Sequence, residues 1–568
     1  MHFHPNLRLL LFTSLFVWGA FVFLWISYGK PMVGIDDANI YQVYMRNLAG
    51  GHGLVYQAGG ERVEGFTSLL WVLIGAGFYR FLPAPELFLM LLSVLIVNGL
   101  MYRMNRAINM LSGWKAGLYG HHLFFMLLLL VVPGFFDWTL FTLMETALWS
   151  WLLTELALRI AARPSVITHR FSIENGIISG LLFLLVLTRP ESMLWGLLLL
   201  GIRVAYCRFA GNTWKAALRF NALPFAVFGM ALTGLVMWRL WYFGYPFPNT
   251  YYAKVSAEPW TNLKTGMRYL AEYFIHYNPM ALLMYAISAG WMYQIWRTRN
   301  QTPINPPLLV LNLISLLNLV FPLLTGGDHF FLGRILQPLM PLTCAVFTLL
   351  FFKTVQVKLE AVPDRILQGA QGILVLVFAM LLPDLYRFYR YPSITPPFQY
   401  EFDLAQKGRE MGYQMSNFLY PVENKPVWGV LCAGGIAYSY EGVTLDLLGL
   451  NNVAMAHANR IKPINRPKNH ASFDKDVFYA QQPDIMFPTQ FLQPGALQPL
   501  AFEQCDTFEN DFLARSLGHI HRDAQFKSLY VPVLLTSKAK GDVLYAYFRR
   551  RYLEQLDSAF YEVRYLSQ

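Results

Sequence analysis

Residues 34–71 read GIDDANIYQVYMRNLAGGHGLVYQAGGERVEGFTSLLW, a polar and glycine-rich stretch that follows a strongly apolar one. The preceding residues 9–28 are apolar over a length that crosses the roughly 30 Å hydrocarbon core of a bilayer. This apolar segment is longer than the roughly 7–15 residues of a signal peptide, so we expect a retained first transmembrane helix. Residues 34–71 are therefore predicted to form the first loop of a membrane protein.

The composition of the whole chain also predicts a membrane protein. Its 568 residues are 55% hydrophobic and only 14% charged, and the mean hydropathy is +0.36. These values lie outside the range of ordinary soluble domains. The net charge of +11 does not indicate a nucleic-acid partner, because most basic residues of the apolar half lie in short loops between apolar segments.

Eleven apolar segments are candidate transmembrane helices. They lie near residues 9–28, 87–102, 118–133, 138–158, 174–188, 193–207, 220–242, 276–296, 307–324, 335–352 and 366–385. With a cytoplasmic N-terminus, every basic loop falls on the cytoplasmic side, in agreement with the positive-inside rule, and the acidic residues collect on the external side. We interpret residues 68–82 as a helix at the outer interface, because a span there would invert all later loops.

A change of composition near Tyr391, to Pro-rich and polar sequence, marks a domain boundary. We predict a transmembrane domain over residues 1–388, with an external loop at 29–86, and a soluble periplasmic domain over 389–568. The predicted elements of the second domain are strand Val427–Cys432, turn Gly434–Gly435, helix Ile436–Tyr440, strand Val443–Leu448, helix Phe473–Gln481 and strand Asp484–Phe487. This pattern indicates an α/β domain.

The four cysteines show no CxxC spacing and predict no thiolate metal site. Cys432 and Cys505 both lie in the predicted external domain, and the sequence leaves open whether they form a disulfide. The aromatic residues Trp428, Tyr438 and Tyr440 of the same domain have two interpretations, as sugar-stacking surfaces or as core residues.

The adjacent carboxylates Asp36 and Asp37 lie where the first span meets external water. Two carboxylates this close raise one another's pKa or share a cation, and either effect suits a general base that acts on a sugar hydroxyl. The structural alternative is that Asp37 caps a helix over residues 38–48 and Asp36 is solvated. The density of charge, aromatic residues and glycine in the rest of the loop favours a ligand-binding loop.

Three other residues on the predicted external face each have a functional and a structural interpretation. Lys254 follows a proline-stiffened loop and either binds a phosphate or reaches toward lipid headgroups. Arg334 either binds the same phosphate or pairs with Asp328. His329 either ligates a metal with Asp36 or Asp328, or is a hydrogen-bonded structural residue.

Charged residues also occur in or beside the predicted spans, where they are costly unless paired or functional. Glu145 is predicted about two turns inside the span at 138–158, and Arg189 and Glu191 lie in a tight external turn. We prefer a Glu145–Arg189 pair that braces the helix bundle, with sugar recognition as the alternative. Arg46 and Glu64 of the first loop are predicted to bind substrate or to brace the loop.

Six motifs, in order along the chain, resemble a known family. They are DDANIYQVYMRNLAGGHGLVY…GERVEGFTSLLW from residue 36, LMETALW at 143–149, LTRPES at 187–192, GYPFPNTYYAK at 244–254, GGDHFFLGRILQPLMPL at 326–342 and GGIAYSYEGVTLDLLGLNN at 434–452. Together they look like a bacterial membrane glycosyltransferase family of the GT-C fold, which includes the mycobacterial terminal arabinofuranosyltransferases. The resemblance covers nearly the whole chain.

The resemblance implies an enzyme of the bacterial inner membrane that takes a sugar from a polyprenyl-phosphate donor on the periplasmic side. The acceptor would be an envelope glycan, a glycolipid or a protein, and the displacement would invert the anomeric centre. One carboxylate of Asp36 and Asp37 would remove the acceptor proton, while cationic groups, which we predict to be Lys254 and Arg334, would receive the departing phosphate. No cofactor is implied with certainty, and a divalent metal and the identity of the sugar stay open.

Two other functions fit a polytopic protein. A transporter or flippase of envelope lipids or glycans usually has repeated halves and charges near the membrane midplane, and the sequence shows neither. A non-catalytic envelope assembly factor would have no need of the Asp36–Asp37 pair or of Lys254. The expected partners are therefore the lipid-linked donor, the envelope acceptor and the surrounding membrane lipids.

Overall fold

A computed structural model describes residues 5–112, 120–162, 172–298, 305–359, 398–420, 422–463, 465–492 and 511–566. Up to residue 359 these residues form a helical part. Its helices are α1 (Pro5–Ser27), α2 (Asp36–Ala49), α3 (Leu69–Phe81), α4 (Pro85–Ser112), α5 (Gly120–Val131), α6 (Thr146–Ala161), α7 (Ile173–Thr188), α8 (Ser192–Phe209), α9 (Trp214–Phe220), α10 (Ala222–Phe243), α11 (Asn249–Lys254), α12 (Pro259–Glu272), α13 (Pro279–Thr298), α14 (Pro306–Leu317), α15 (Val320–Thr325) and α16 (Met340–Leu359).

Five helices in the described residues are long and apolar enough to cross a membrane: Pro5–Ser27, Pro85–Ser112, Ser192–Phe209, Ala222–Phe243 and the stretch Pro306–Thr325. Shorter apolar helices accompany them at Leu69–Phe81, Gly120–Val131, Ile173–Thr188 and Gln337–Lys353. Each predicted span overlaps a helix, except the one at 366–385, which lies outside the described residues. The expectation of a polytopic helical protein is thus confirmed, while the number of spans stays a prediction.

The predicted span at 138–158 is wrong in its first half. Asp137–Phe141 forms a π-helical turn, Leu143 has a left-handed φ of 59°, and α6 begins only at Thr146. The indole of Trp71 donates a hydrogen bond to the Leu143 carbonyl at 2.9 Å and fixes this bend. Apolar composition does not register such a break, because the bend is set by contacts with residues distant in the chain.

The C-terminal part, from residue 398 onward, is an α/β unit. Its six-stranded sheet has the order β2-β1-β3-β5-β4-β6, in which β1 is parallel to β2 and β3 and the other pairs are antiparallel. The strands are β1 (Trp428–Val430), β2 (Thr444–Asp446), β3 (Ile485–Leu492), β4 (Tyr530–Ser537), β5 (Val543–Arg549) and β6 (Tyr561–Tyr565). The helices are α17 (Gln399–Phe418), α18 (Gly435–Ser439), α19 (Val453–Ala458), α20 (Lys475–Gln481), α21 (Phe512–Ser516), α22 (Ala524–Leu529) and α23 (Arg550–Leu553).

The predicted α/β pattern of the C-terminal part is confirmed at β1, α18, β2, α20 and β3. Trp428 and Tyr440 are buried, and they pack edge to face at 5.5 Å, so both are core residues. Tyr438 lies between the two parts of the chain, where its hydroxyl donates to Glu86. Cys505 lies outside the described residues, and its pairing with Cys432 stays untested.

The two parts share one continuous hydrophobic core, whose buried residues run from Val17 in α1 to Tyr561 in β6. Helix α2 connects them, since it packs against α3 on one side and against α17 and α18 on the other. Arg409 of α17 donates hydrogen bonds to Asn39 at 2.6 Å and to Gln42 of α2. The C-terminal part is therefore fixed directly over the predicted first loop.

Candidate functional site

A cavity of about 760 Å³ lies beneath the C-terminal part. Its wall includes residues from the first loop, from the turn between α7 and α8, from α11, and from the loop that follows α15. Six of the predicted site residues line it: Asp37, Arg189, Glu191, Lys254, Asp328 and Arg334. The fold thus brings together residues from four separate motifs.

Asp37 is the carboxylate that faces the cavity. Its Oδ2 atom lies 3.3 Å from Lys254 Nζ and 3.5 Å from Arg334 Nη1. Burial by itself would raise the pKa of Asp37, but the nearby positive charges of Lys254, Arg334 and His329 outweigh burial and hold the pKa below its ordinary value. Asp37 is therefore ionised and flanked by cations.

Asp36 points away from this cavity and binds the C-terminal part. Its carboxylate accepts hydrogen bonds from the backbone N–H groups of Gly435 at 2.8 Å and Gly434 at 3.1 Å. Burial, together with the negative charge of Asp37, raises its pKa to about 6, although the two backbone hydrogen bonds oppose that shift. The structural alternative, in which Asp36 is solvated, is therefore wrong.

The capping interpretation of Asp37 is also wrong. Helix α2 begins at Asp36, and the residue in the N-cap position is Ile35, whose side chain makes no capping hydrogen bond. Both aspartates therefore lie in the first helical turn, where the helix dipole stabilises negative charge. Successive residues of a helix point about 100° apart, so one carboxylate reaches the cavity and the other reaches the C-terminal part.

Arg334 is held rigidly on the cavity wall. Its Nε and Nη2 atoms both lie 2.5 Å from Asp328 Oδ2, and the guanidinium lies 4.4 Å from the centre of the Phe330 ring. Only Nη1 is directed at Asp37. Arg334 therefore both pairs with Asp328 and lies on the cavity wall.

Lys254 is the last residue of the short helix α11, which begins after Pro248. The amide of Asn249 anchors this helix, since its Nδ2 donates to the carbonyls of Gly449 at 2.7 Å and Leu450 at 3.0 Å. The Lys254 ammonium points toward Asp37 in the cavity, and the Lys254 side chain is 19% exposed. This orientation does not fit a lysine that reaches toward lipid headgroups.

Arg189 joins two acidic residues at the cavity wall. Its Nη1 lies 2.5 Å from Glu145 Oε1, and its Nη2 lies 2.8 Å from Glu191 Oε1. The predicted Glu145–Arg189 pair is present, but Glu145 occupies the N-cap position of α6 and is not two turns inside a span. Glu145 is fully buried behind the wall, whereas Arg189 and Glu191 reach the cavity.

Arg46 and Glu64 are directed away from the cavity and brace the first loop. Arg46 donates to the Tyr438 carbonyl at 2.6 Å, which ties α2 to the C-terminal part. Glu64 forms a buried ion pair with Arg239 of α10, with oxygen–nitrogen distances of 2.9 to 3.1 Å. Between the two interpretations of these residues, the contacts support bracing.

His329 lies beside Asp328, with 3.2 Å between Nδ1 and Oδ1, and its ring packs against Phe330 and His470. Asp36, the other predicted ligand, is bound to Gly434 and Gly435 instead. Within the described part of the chain, no group of three or more His, Cys, Asp and Glu side chains is arranged to hold a metal ion. These contacts are those of a hydrogen-bonded structural residue.

Two site residues from the C-terminal part were not predicted from the sequence. Asn469 lines the cavity and donates a hydrogen bond to Asp328 at 2.6 Å. Glu401 of α17 is buried near the acidic pair, and burial, Asp37 and Asp36 raise its pKa to about 8. Each occurs in an ordinary polar segment without a motif, so no local signal distinguishes it from a surface residue.

The cavity has a polar wall and an apolar wall. The charged groups described above and Tyr41, Thr67 and Asn469 form the polar wall. The apolar wall includes Phe247, Tyr251, Trp260, Leu263, Leu323 and Leu324. Trp260 and Leu324 are 74% and 53% exposed, so the apolar wall continues onto the outer surface of the helical part. The cavity therefore suits a molecule with one polar end and one long apolar end.

The fold and the cavity together define a polytopic helical membrane protein with a charged site beneath an α/β cap. Comparison with protein-family models finds no match, and no curated protein matches the sequence. Solved structures with a similar backbone include ArnT from Cupriavidus metallidurans bound to undecaprenyl phosphate, at 14% identity and a TM-score of 0.48, over 94% of this chain and 97% of that one.

The archaeal oligosaccharyltransferase AglB from Archaeoglobus fulgidus, in complex with an inhibitory peptide and a dolichol-phosphate, is similar at 12% identity and a TM-score of 0.48, over 96% of this chain and 74% of that one. At this level of similarity, function has to be inferred from the geometry of the site itself.

Proposed function

We propose that this protein is an integral membrane glycosyltransferase that moves a sugar from a polyprenyl-phosphate donor to an acceptor hydroxyl at the periplasmic face. One observation carries the proposal: in a cavity with an apolar wall, a single carboxylate, Asp37, lies within 3.5 Å of two cations, Lys254 and Arg334. A base next to a phosphate-binding pair is the arrangement that glycosyl transfer from a lipid phosphate needs.

In the proposed reaction the acceptor oxygen attacks the anomeric carbon of the donor, and the bond from that carbon to the phosphate oxygen breaks. The acceptor proton moves to Asp37. The polyprenyl phosphate departs with the electron pair, and Lys254 and Arg334 stabilise its negative charge. Attack on the face opposite the leaving group inverts the anomeric centre.

Asp37 is the base in this proposal, and Asp36 has a different role. Asp37 lines the cavity, whereas both Asp36 oxygens accept hydrogen bonds from the backbone of the C-terminal part. The pKa of Asp37 is low because Lys254 and Arg334 lie beside it. A donor phosphate that enters the cavity would draw these two cations toward itself. Donor binding would then raise the pKa of Asp37 and make it a better proton acceptor.

The polar and apolar walls suggest how the donor is oriented. The polyprenyl chain would follow the exposed apolar surface near Trp260 and Leu324, while the sugar would lie among Tyr41, Arg189 and Glu191. The motif resemblance makes an arabinofuranosyl or other pentosyl donor the first one to assay. An envelope glycan or glycolipid is the matching acceptor.

The positive-inside pattern supports an inner-membrane location with a cytoplasmic N-terminus and a periplasmic C-terminal part. In that orientation the helical part holds the lipid-linked donor, and the α/β part covers the site from the periplasm. Fusion of a periplasm-dependent reporter to the C-terminus tests this orientation, and an inactive reporter there would contradict it.

The decisive experiment compares Asp37→Asn with Asp36→Asn in the purified full-length protein reconstituted in proteoliposomes. A series of radiolabelled polyprenyl-phosphate sugars, starting with the arabinofuranosyl donor, is assayed for transfer to extracted envelope glycans and glycolipids. We expect Asp37→Asn to lose transfer by at least about 100-fold, which is the scale of general base catalysis, while it stays folded. Asp36→Asn should lower stability and retain measurable transfer.

Full transfer by Asp37→Asn would sink the assignment of the base. Movement of the labelled lipid across the bilayer, without any glycan product from any donor, would instead support the transporter or flippase alternative.

A further inference from the structure

We propose that Asn469, a residue of the C-terminal part, is a positioning residue that holds the Arg334 guanidinium in its phosphate-binding orientation by way of Asp328. The inference rests on the proposed function and deepens it. It assigns to the C-terminal part a direct share in donor recognition, in addition to covering the cavity.

A continuous chain of polar contacts connects the three residues. Asn469 Nδ2 donates to Asp328 Oδ1 at 2.6 Å, and the other oxygen, Asp328 Oδ2, accepts from Arg334 Nε at 2.5 Å. Arg334 Nη2 lies 2.5 Å from that same oxygen. With two of its nitrogens on Asp328, the guanidinium has Nη1 directed toward Asp37 and the cavity. The angle of the Asp328 carboxylate therefore sets the direction of Arg334.

The segment around Asn469 is built to reach this place. Asn469 is buried and has a left-handed φ of 64°, a conformation that costs free energy for residues other than glycine and that asparagine tolerates best. Its neighbour Lys468 donates to the Thr325 carbonyl at 3.3 Å, and Ser472 donates to the Ala253 carbonyl at 2.6 Å. The segment thus contacts both the Asp328 loop and the helix that ends in Lys254.

The chemistry of an amide suits this position. Asp328 Oδ1 also accepts from the His329 backbone N–H at 2.8 Å, and the Asn469 amide lies 3.1 Å from His329 Nδ1. The amide thus adds a second donor to Oδ1 without adding charge, so the negative charge of Asp328 remains available to Arg334. A lysine here would compete with Arg334 for Asp328, and an aspartate would repel it. The Asp328 pKa is well below its ordinary value because Arg334 and His329 outweigh the effect of burial, so Asp328 stays ionised as this arrangement requires.

The experiment measures binding of two probes, decaprenyl phosphate and the uncharged decaprenol, to the full-length protein in nanodiscs. Asn469→Gly keeps the left-handed backbone and removes the amide, and Asn469→Asp keeps the shape and reverses the interaction with Asp328. We expect Asn469→Gly to weaken decaprenyl phosphate binding by roughly tenfold, the scale of one hydrogen bond to a charged group, and Asn469→Asp to weaken it further. Decaprenol binding should stay within about twofold, since it has no phosphate to engage Arg334.

A double-mutant cycle separates positioning from direct contact, since Asn469 also lines the cavity. If Asn469 acts through Arg334, then Asn469→Gly has no further effect on phosphate binding in an Arg334→Ala background. Asn459→Ala is the matched control, because the Asn459 amide donates within the C-terminal part, to Asp474 at 3.1 Å and to the Phe473 carbonyl at 3.3 Å. It should bind both probes as the unmodified protein does.

Unchanged phosphate binding in both Asn469 variants, equal loss for both probes, or additive losses with Arg334→Ala would overturn the inference while the proposed function stands. An unmodified protein that binds decaprenyl phosphate no better than decaprenol would instead contradict the proposed function, and the inference with it. If Asn469→Gly does not fold, the Asn469→Asp measurements decide by the same criteria.

Discussion

Asp37 Oδ2 lies 3.3 Å from Lys254 Nζ, although 217 positions separate the two residues in the chain. Arg334 Nη1 approaches the same oxygen at 3.5 Å. One carboxylate oxygen thus faces two cations in a cavity large enough for a substrate. In the proposed reaction, Lys254 and Arg334 release the Asp37 carboxylate and bind the donor phosphate instead.

Replacing Lys254 by alanine should shift the pH dependence of transfer. Lys254 lowers the pKa of Asp37, so its removal raises that pKa. Because Asp37 acts as a base only when it is deprotonated, the acid limb of the rate profile should move to higher pH, and donor affinity should fall by roughly tenfold. The profile is measured as kcat/KM for the donor from pH 4 to pH 9, because this ratio reports the pKa of Asp37 in the donor-free protein, where Lys254 lies beside it. Lys264→Ala, at an exposed lysine of α12, is the control and should leave the profile unchanged.

Gly434→Ala should loosen the junction between the two parts of the chain. A Cβ atom on Gly434 would lie 1.9 Å from the Asp36 carbonyl oxygen, too close for any side chain. We expect a loss of about 1–3 kcal/mol, the range for overpacking, seen as a lower melting temperature and faster proteolysis near residue 434. At Gly99 in α4 an added Cβ meets nothing within 4 Å, so Gly99→Ala serves as the control. An unchanged melting temperature for Gly434→Ala would contradict the junction.

Glu401→Gln should change how stability and activity depend on pH. The pKa of Glu401 is raised from 4.5 to about 8 in the folded protein, so the folded state holds a proton that the unfolded state releases. The contribution of Glu401 to stability is therefore lost as the pH rises from about 4.5 to about 8. Over that pH range the melting temperature of Glu401→Gln should fall less than that of the unmodified protein. Above pH 8 the variant should also retain more transfer, because it gains no negative charge beside Asp37.

The control for this prediction is Asp403→Asn, at an exposed residue of the same helix. It should follow the unmodified protein throughout. Parallel melting curves for Glu401→Gln and the unmodified protein from pH 5 to pH 9 would count against a neutral Glu401.

Arg239→Met should be strongly destabilising, because it leaves the Glu64 carboxylate buried without its cation. The two side chains are 6% and 1% exposed. Removing one partner of such a pair costs about 3–5 kcal/mol, whereas the double variant Glu64→Gln/Arg239→Met should recover a large part of the loss. Arg268→Ala breaks the exposed pair with Glu272, in which Arg268 is 82% exposed, and should cost less than about 1 kcal/mol. Thermal unfolding in detergent measures all three variants.

Several features followed from local sequence alone. The apolar segments predicted the helices, because a membrane helix requires a long run of consecutive apolar residues. The glycine-rich segment from 427 to 448 marked the strand–helix–strand unit that the structure contains as β1, α18 and β2. The first loop, with its acidic pair, could be singled out from the sequence because its charge and glycine content differ from those of the apolar segments around it.

The tertiary structure decided what those residues do. Neighbouring aspartates look equivalent in sequence, yet Asp36 binds the backbone at Gly434 and Gly435, while Asp37 faces Lys254 and Arg334. The break before α6, which moves Glu145 to a helix end, and the placement of Asn469 beside Asp328 likewise depend on contacts between distant segments. Composition and periodicity report the local environment of a residue, but the partner of a buried charge is chosen by the packing of the whole chain.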